Sequence, residues 1–210
     1  PYEIEYPQPA WAQQNPGHWL GAIISAIRQL LNETGVHPSQ VRVIALDAQV
    51  DGVIAIDKAG KPLYPAIIWM DRRAVGQVER IAESCDAGRL YDLSGLNLDA
   101  YHVAPKIRWL VDNHPEVMDE AAYFLLPGSY VAYALTGELG VDYSNASSTL
   151  LMDIRTRKWS DELCNCFNIP MEKLAPILPA DQVIGSLLPG LAEQMGLLPS
   201  TKIVLGSGDE

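Results

Sequence analysis

The hydrophobic positions change spacing repeatedly along the chain, and each change predicts an element. Asn15-Pro16 followed by Trp19, Ile23, Ile27, Leu30 and Leu31 predicts a helix with an asparagine cap, a proline in its first turn and a stop at Gly35. Three short apolar runs follow at residues 41–46, 53–56 and 65–69, the second closed by Asp57-Lys58-Ala59-Gly60, whose residues accept positive φ. They predict a three-stranded meander. Val75, Val78, Ile81 and Ala82 predict a helix over 72–87, and Ile107, Leu110 and Val111 predict one over 104–113, with a further helical piece at 116–121. A buried strand is expected at 123–126, a helix at 127–135 stopped by Gly137, a small helix at 145–151 and another at 159–167. Pro170, Pro176, Pro179 and Pro189 then punctuate a looser stretch before a strand at 202–205 runs into Gly206-Ser207-Gly208-Asp209. Strands alternating with helices argue for an α/β or α+β class rather than a bundle or a sandwich.

Composition narrows the function classes. The 210 residues are 48% hydrophobic and 20% charged, enough to build a core and unlike a disordered or disulfide-framed chain. Fifteen basic and 26 acidic residues leave a net charge of −11 with no Lys/Arg run, which argues against a nucleic-acid partner. No apolar stretch approaches the ~18 residues of a membrane span, and residues 1–9 lack the basic start and apolar centre of a leader. Cys85, Cys164 and Cys166 lack zinc-site spacing and read as reduced thiols of a cytoplasmic protein. The chain ends just after a strand-end Asp, where a helix or site would normally continue, and it reads as a fragment.

Candidate chemistry lies at strand ends. The phosphate loop Gly-x-x-x-x-Gly-Lys-Ser/Thr and the helix-opening Gly-x-Gly-x-x-Gly are both missing. His18, His37, His102 and His114 lack ligand spacing and read as surface or capping residues, and Ser129 reads as a helix cap. Asp209, framed by Gly206 and Gly208, either faces a crevice or caps a following helix. Gln49-Val50-Asp51-Gly52 either offers Asp51 to hydroxyl donors or is a simple Asp-Gly hairpin turn. Trp69-Met70-Asp71-Arg72-Arg73 suits a sugar, the ring covering C–H faces and the polar groups holding hydroxyls, but a surface ion pair explains Asp71 and Arg72 equally well.

In this order, the segments resemble the FGGY family of carbohydrate kinases, which includes xylulokinases, gluconokinases and glycerol kinases. The similarity covers nearly the whole chain and is closest in Lys61-Pro-Leu-Tyr-Pro-Ala-Ile-Ile-Trp-Met-Asp-Arg-Arg73. Lys106-Ile-Arg-Trp109, Leu126-Pro-Gly-Ser-Tyr130, Leu135-Thr-Gly-Glu138, Asp142-Tyr-Ser-Asn-Ala-Ser147 and Gly206-Ser-Gly-Asp209 extend it. The resemblance implies a ribonuclease H-like, actin-like ATPase fold of class α/β. Residues 1–210 are then most of the N-terminal, sugar-binding lobe, incomplete at its N-terminus. The first strand hairpin with its Asp-x-Gly-Thr turn and the C-terminal ATP-binding domain fall outside the chain.

By the same resemblance, Asp209 is the general base, and Gln49, Val50, Asp51, Trp69, Asp71, Tyr101 and Glu210 are substrate-binding. Mg2+ and ATP are the implied co-substrates, a sugar or polyol the implied partner, and a homodimer is compatible with it. Xylulokinases read Gln-Met-His-Gly where this chain has Gln49-Val50-Asp51-Gly52, while glycerol kinases place Arg then Glu at the two middle positions. Glu210 stands where those relatives carry an amide. Two added carboxylates disfavour an anionic sugar acid, so the expected substrate is neutral, a ketopentose such as D-xylulose ahead of glycerol or another polyol. A non-catalytic sugar-binding relative is the alternative, and the fragment alone is expected to be inactive.

Overall fold

In the computed structural model, which describes residues 2–209, strand β1 (Gln13–Gln14) leads into helix α1 (Pro16–Thr34). The Asn15 side chain accepts from the Gly17 N–H at 2.9 Å and Gly35 closes the helix at φ 67°, as the sequence predicts. Strands β2 (Val43–Ala48), β3 (Ile54–Ile56) and β4 (Ala66–Ile67) follow. Helices α2 (Val75–Ser84), α3 (Ala87–Ser94), α4 (Val103–Asn113) and α5 (Pro115–Glu120) come next. Strand β5 (Tyr123–Leu125), helix α6 (Pro127–Thr136), strand β6 (Val141–Asp142) and helix α7 (Tyr143–Ser147) lead to the hairpin of β7 (Met152–Asp153) and β8 (Lys158–Trp159). The chain finishes with α8 (Asp161–Cys166), β9 (Ile177–Leu178), β10 (Val183–Ser186), α9 (Pro189–Met195) and β11 (Lys202–Gly208).

The expected meander does not form. β2 pairs in parallel with β11 in a three-stranded sheet ordered β10-β11-β2, β3 pairs antiparallel with β5, and β4 with β1. Only an isolated Val53–Ile67 bridge joins the second and third runs. Burial explains the difference: β3 is buried at every residue, whereas β2 alternates between exposed and half-buried positions at the margin of its sheet. Short apolar runs identify strands without identifying partners, and here the partner of β2 lies at the far end of the sequence.

Four further expectations are corrected. The helix over 72–87 is interrupted because Cys85 is extended and Asp86 starts α3 by accepting from the Arg89 N–H at 2.8 Å. Ser129 is buried inside α6, while Leu126 takes the cap position. Trp159 belongs to β8, its indole N–H donating to the Ala175 carbonyl at 2.8 Å, and Ser160 caps α8. Cys85 and Cys166 form a disulfide across 81 residues, with Cα atoms 6.2 Å apart, so only Cys164 remains a free thiol. Burial pushes the Cys164 thiol up to about 11, which makes it inert.

The core gathers Ile54, Ile67, Ile68, Ile107, Leu110, Leu125 and Leu135 from β3, β4, α4, β5, α6 and the segment after β4, all at most 1% exposed. Lys106 is buried with them. Among the described residues, no helix is long and apolar enough to cross a membrane.

Candidate sugar cleft

The cleft begins where two parallel strands end together. β2 and β11 are in register from Val43–Lys202 to Ala45–Val204, then resume at Asp47–Ser207 and Ala48–Gly208 after a bulge. Gly206 at φ 70° makes the bulge possible: a β-carbon there would lie 1.6 Å from the Leu46 carbonyl oxygen. Gly208 is also required, because its β-carbon would meet Val50 Cγ1 at 2.3 Å. The two strands therefore bring Asp209 beside Ala48, whose carbonyl accepts the Asp209 N–H at 3.1 Å. The carboxyl ends of parallel strands are where open α/β sheets bind ligands.

Asp209 lines a cleft of roughly 540 Å³ with Gln14, Trp19, Asp47, Gln49 and Trp69. Gln49 is held by Gln14, whose side-chain oxygen accepts both the Gln49 amide at 3.0 Å and the Trp19 indole N–H at 3.1 Å. Trp69 is 42% exposed and meets Tyr101 edge-on, the ring centroids 6.4 Å apart. An exposed indole at a cleft wall is suited to the C–H faces of a sugar. At the same end of β11, two residues before Asp209, Ser207 shares a hydroxyl hydrogen bond with Ser144 of α7 at 2.8 Å, and Asp142 accepts from the Ser144 and Asn145 N–H groups.

Asp51 does not sit in a hairpin turn. It adopts φ 53°, is 1% exposed, and places Oδ1 3.6 Å from Nδ1 of His102. Neither atom has a hydrogen-bond partner, and Asn145 Oδ1 is likewise buried without one. His102 thus departs from the surface-or-cap expectation: it precedes α4 but makes no cap bond, and its ring packs at right angles on Tyr101.

Lys106 holds these loops in place. Its ammonium donates to the carbonyls of Asp51 at 2.6 Å and Ile68 at 3.0 Å, with Trp69 at 3.4 Å, and it lies 5.5 Å over the Tyr101 ring. Burial drives its pKa down to about 8, although Asp51 and Asp71 pull the other way. A lysine amid the apolar 103–110 run was the available signal for this group.

Asp71 and Arg72 do not form the anticipated surface pair. Asp71 is fully buried, accepting the Ala12 N–H and the Arg73 N–H and Nε–H, while Arg73 reaches it again through Nη2 at 2.8 Å. Arg73 also lies 4.2 Å over the Trp11 ring and donates to Gln13. Arg72 instead pairs with Asp99 at the surface. The structure therefore gathers Gln49, Trp69 and Asp209 around the cleft, with Val50 packed under Gly208, while Asp51, Asp71 and Tyr101 lie outside its wall. Glu210 lies outside the described residues.

The family model described as FGGY family of carbohydrate kinases, N-terminal domain, matches residues 1–210. The chain is 31% identical over 208 residues to the xylulose kinase of Bacillus subtilis (strain 168), covering 99% of this chain and 42% of that one. It is 38% identical over 184 residues to the glycerol kinase of Thermococcus gammatolerans, covering 86% of this chain and 37% of that one. The crystal structure of xylulose kinase from Rhodospirillum rubrum superposes with a TM-score of 0.93 at 24% identity, over 100% of this chain and 43% of that one. The chain spans about two fifths of the length of these relatives.

Proposed function

The chain belongs to the FGGY family of carbohydrate kinases, with their ribonuclease H-like fold, and from that membership we propose that the full-length protein transfers the γ-phosphate of ATP to a hydroxyl of a neutral sugar or polyol. The observation that carries this reading is Asp209, set at the joint end of β2 and β11 in a cleft shared with Gln49 and Trp69. Asp209 takes the proton of the attacking hydroxyl, Gln49 orients the substrate through its Gln14-fixed amide, and Trp69 covers an apolar face. Such positioning is most of what phosphoryl transfer asks of a protein.

The nucleotide enters as a co-substrate, and Mg2+ accompanies it to offset phosphate charge. Among the described residues, no three His, Cys, Asp or Glu side chains gather to hold a metal. Residues 1–210 are read as the sugar-holding lobe, with the ATP-holding parts elsewhere in the protein. Asp47 and Asp209 in the wall, and Asp51 behind it, favour a neutral substrate over a sugar acid. A ketopentose such as D-xylulose is the first candidate. Glycerol is the second, supported by the acid at Asp51 and by similarity to glycerol kinases as well as xylulose kinases.

The test is ADP release by the full-length protein with Mg-ATP and xylulose, ribulose, glycerol, erythritol or gluconate. One neutral sugar or polyol should turn over, and Asp209→Asn should lower kcat by about 10²- to 10⁴-fold. Near wild-type turnover by that variant would sink the assignment of the base. Heat stabilisation by sugar without any turnover would favour a binding protein instead.

A further inference from the structure

Two adjacent glutamines of β1 face opposite ways and are used differently. Gln13 and Gln14 pair with Ile67 and Ala66 of β4, and both are at most 8% exposed. Successive side chains of a strand point to opposite faces. Gln13 turns toward the Asp71–Arg73 pair and spends both ends of its amide, the oxygen accepting from Arg73 at 3.1 Å and the NH2 donating to Glu5 at 3.1 Å. Gln14 turns to the cleft, whose wall it shares with Gln49, Trp69 and Asp209. Only its oxygen is committed, to the Trp19 indole N–H at 3.1 Å and the Gln49 amide at 3.0 Å.

These contacts decide which end of the Gln14 amide is which. An indole N–H can only donate, so the Gln14 atom facing it must be the oxygen. Trp19 is itself fixed, buried near the start of α1 and packed edge-on against Tyr130 of α6 with ring centroids 6.2 Å apart. Turning the amide over would set its NH2 against that N–H. The Gln14 NH2 is therefore left without a partner among the described residues, on a side chain almost wholly withdrawn from solvent in the cleft wall. A donor so placed costs free energy until an acceptor reaches it. Gln49 spends its own NH2 on Gln14, so the end it keeps is its oxygen.

We propose that Gln14 is a specificity-determining residue, donating an amide N–H from the cleft wall to an acceptor oxygen of the substrate, a hydroxyl or a ketose carbonyl. The proposal rests on the sugar-site reading above. Hydrogen or an apolar group in place of that oxygen leaves the Gln14 NH2 unpaired, so the residue selects against substrates deoxygenated at one position. Asp209 performs the proton transfer independently of this choice.

The experiment measures kcat and KM of the full-length protein for its preferred member of the xylulose, ribulose, glycerol and erythritol set and for the monodeoxy forms of that substrate. Gln14→Glu keeps oxygens for Trp19 and Gln49 but removes the NH2, and should raise KM by about 10- to 100-fold with kcat changed only a few-fold. Gln14→Met, which is uncharged, should raise KM at least as far. One monodeoxy substrate should lose as much on the wild type as the full substrate loses on Gln14→Glu, with little further loss when the two are combined. If Gln14→Met does not fold, Gln14→Glu and the monodeoxy series carry the test. A KM raised in Gln14→Glu but not in a folded Gln14→Met would assign the effect to charge and overturn the proposal, as would losses that add for every monodeoxy substrate. A wild-type KM in Gln14→Glu, with turnover still dependent on Asp209, would mean that Gln14 serves only to hold Gln49 and would overturn this proposal alone. Absence of both turnover and heat stabilisation in the wild type, with every substrate, would overturn the sugar-site reading and this one together.

Discussion

Asp71–Arg73 and Asp51–His102 are both buried acid–base pairs close to the cleft, and they differ in completeness. Asp71 is satisfied by the Ala12 N–H and by three donors of Arg73, and the guanidinium also lies against the rings of Trp11 and Trp109 at 4.2 and 4.9 Å. Asp51 and His102 face each other with an unfilled hydrogen-bonding position on each. A finished pair has no capacity left for a ligand, so Asp71 acts by fixing the chain between β4 and α2, just beyond Trp69. An unfinished one costs stability until something completes it. Proximity to a site therefore says less about a residue's role than whether its hydrogen-bonding capacity is already used.

The largest effect should come from breaking the finished pair. Arg73→Leu strands a fully buried carboxylate and should cost about 3–5 kcal/mol in denaturant unfolding. His102→Phe should cost no more than about 1 kcal/mol, since no hydrogen bond is lost. Equal costs would erase the distinction between the two pairs.

Lys106, which reaches the loops of both pairs, is expected to show a pH signature. Desolvation lowers its folded-state pKa from the usual 10.5 to about 8. Between those values the folded state binds fewer protons than the unfolded one, so its contribution to stability rises with pH across that window, by about 3 kcal/mol in all. Below pH 8 both states are protonated and the penalty is constant. Unfolding curves of wild type and Lys106→Met at pH 7.5, 9 and 10.5 should differ by this slope; parallel pH dependences would mean that Lys106 is not desolvated. Gly206→Ala should cost more than the about 1–3 kcal/mol of backbone strain at φ 70°, because its β-carbon would lie 1.6 Å from the Leu46 carbonyl oxygen, and it should displace the β11 bulge, weakening catalysis through Asp209.

Much of this architecture is legible in the sequence because its signals are local. Asn15, Pro16 and Gly35 bound α1 by cap chemistry, Gly137 ends α6, and the apolar run before Gly206 is a strand. What escapes is set by distant partners. The β2–β11 pairing joins residues about 160 apart, and nothing within residues 41–46 distinguishes it from a hairpin. The Cys85–Cys166 bridge escapes for the same reason, while α9 and β10 are hidden in a proline-punctuated stretch. Asp209, Gln49 and Trp69, which motif order marks in the sequence, line one cleft in the fold. His102 is missed because a lone histidine gives no spacing signal, and its meaning depends on facing Asp51 across 51 residues.

The surface pair Arg72–Asp99 supplies the lower limit of the comparison. Its side chains are 45% and 41% exposed, so solvent screens the attraction and Arg72→Ala should cost less than about 1 kcal/mol, vanishing in high salt. Asp99 has a second task, because Oδ1 also accepts the Tyr101 N–H at 2.8 Å. Burial pulls its pKa up, but that N–H and Arg72 together outweigh it and hold the carboxyl below its ordinary value. This stabilisation is present above the ordinary carboxylate pKa and is lost as pH falls through the lowered one. Asp99→Ala should therefore cost slightly more than Arg72→Ala and raise the KM for sugar a few-fold, because the turn carrying Tyr101 loosens. Equal effects on KM from the two variants would assign the influence to charge alone and remove the turn from the site's support.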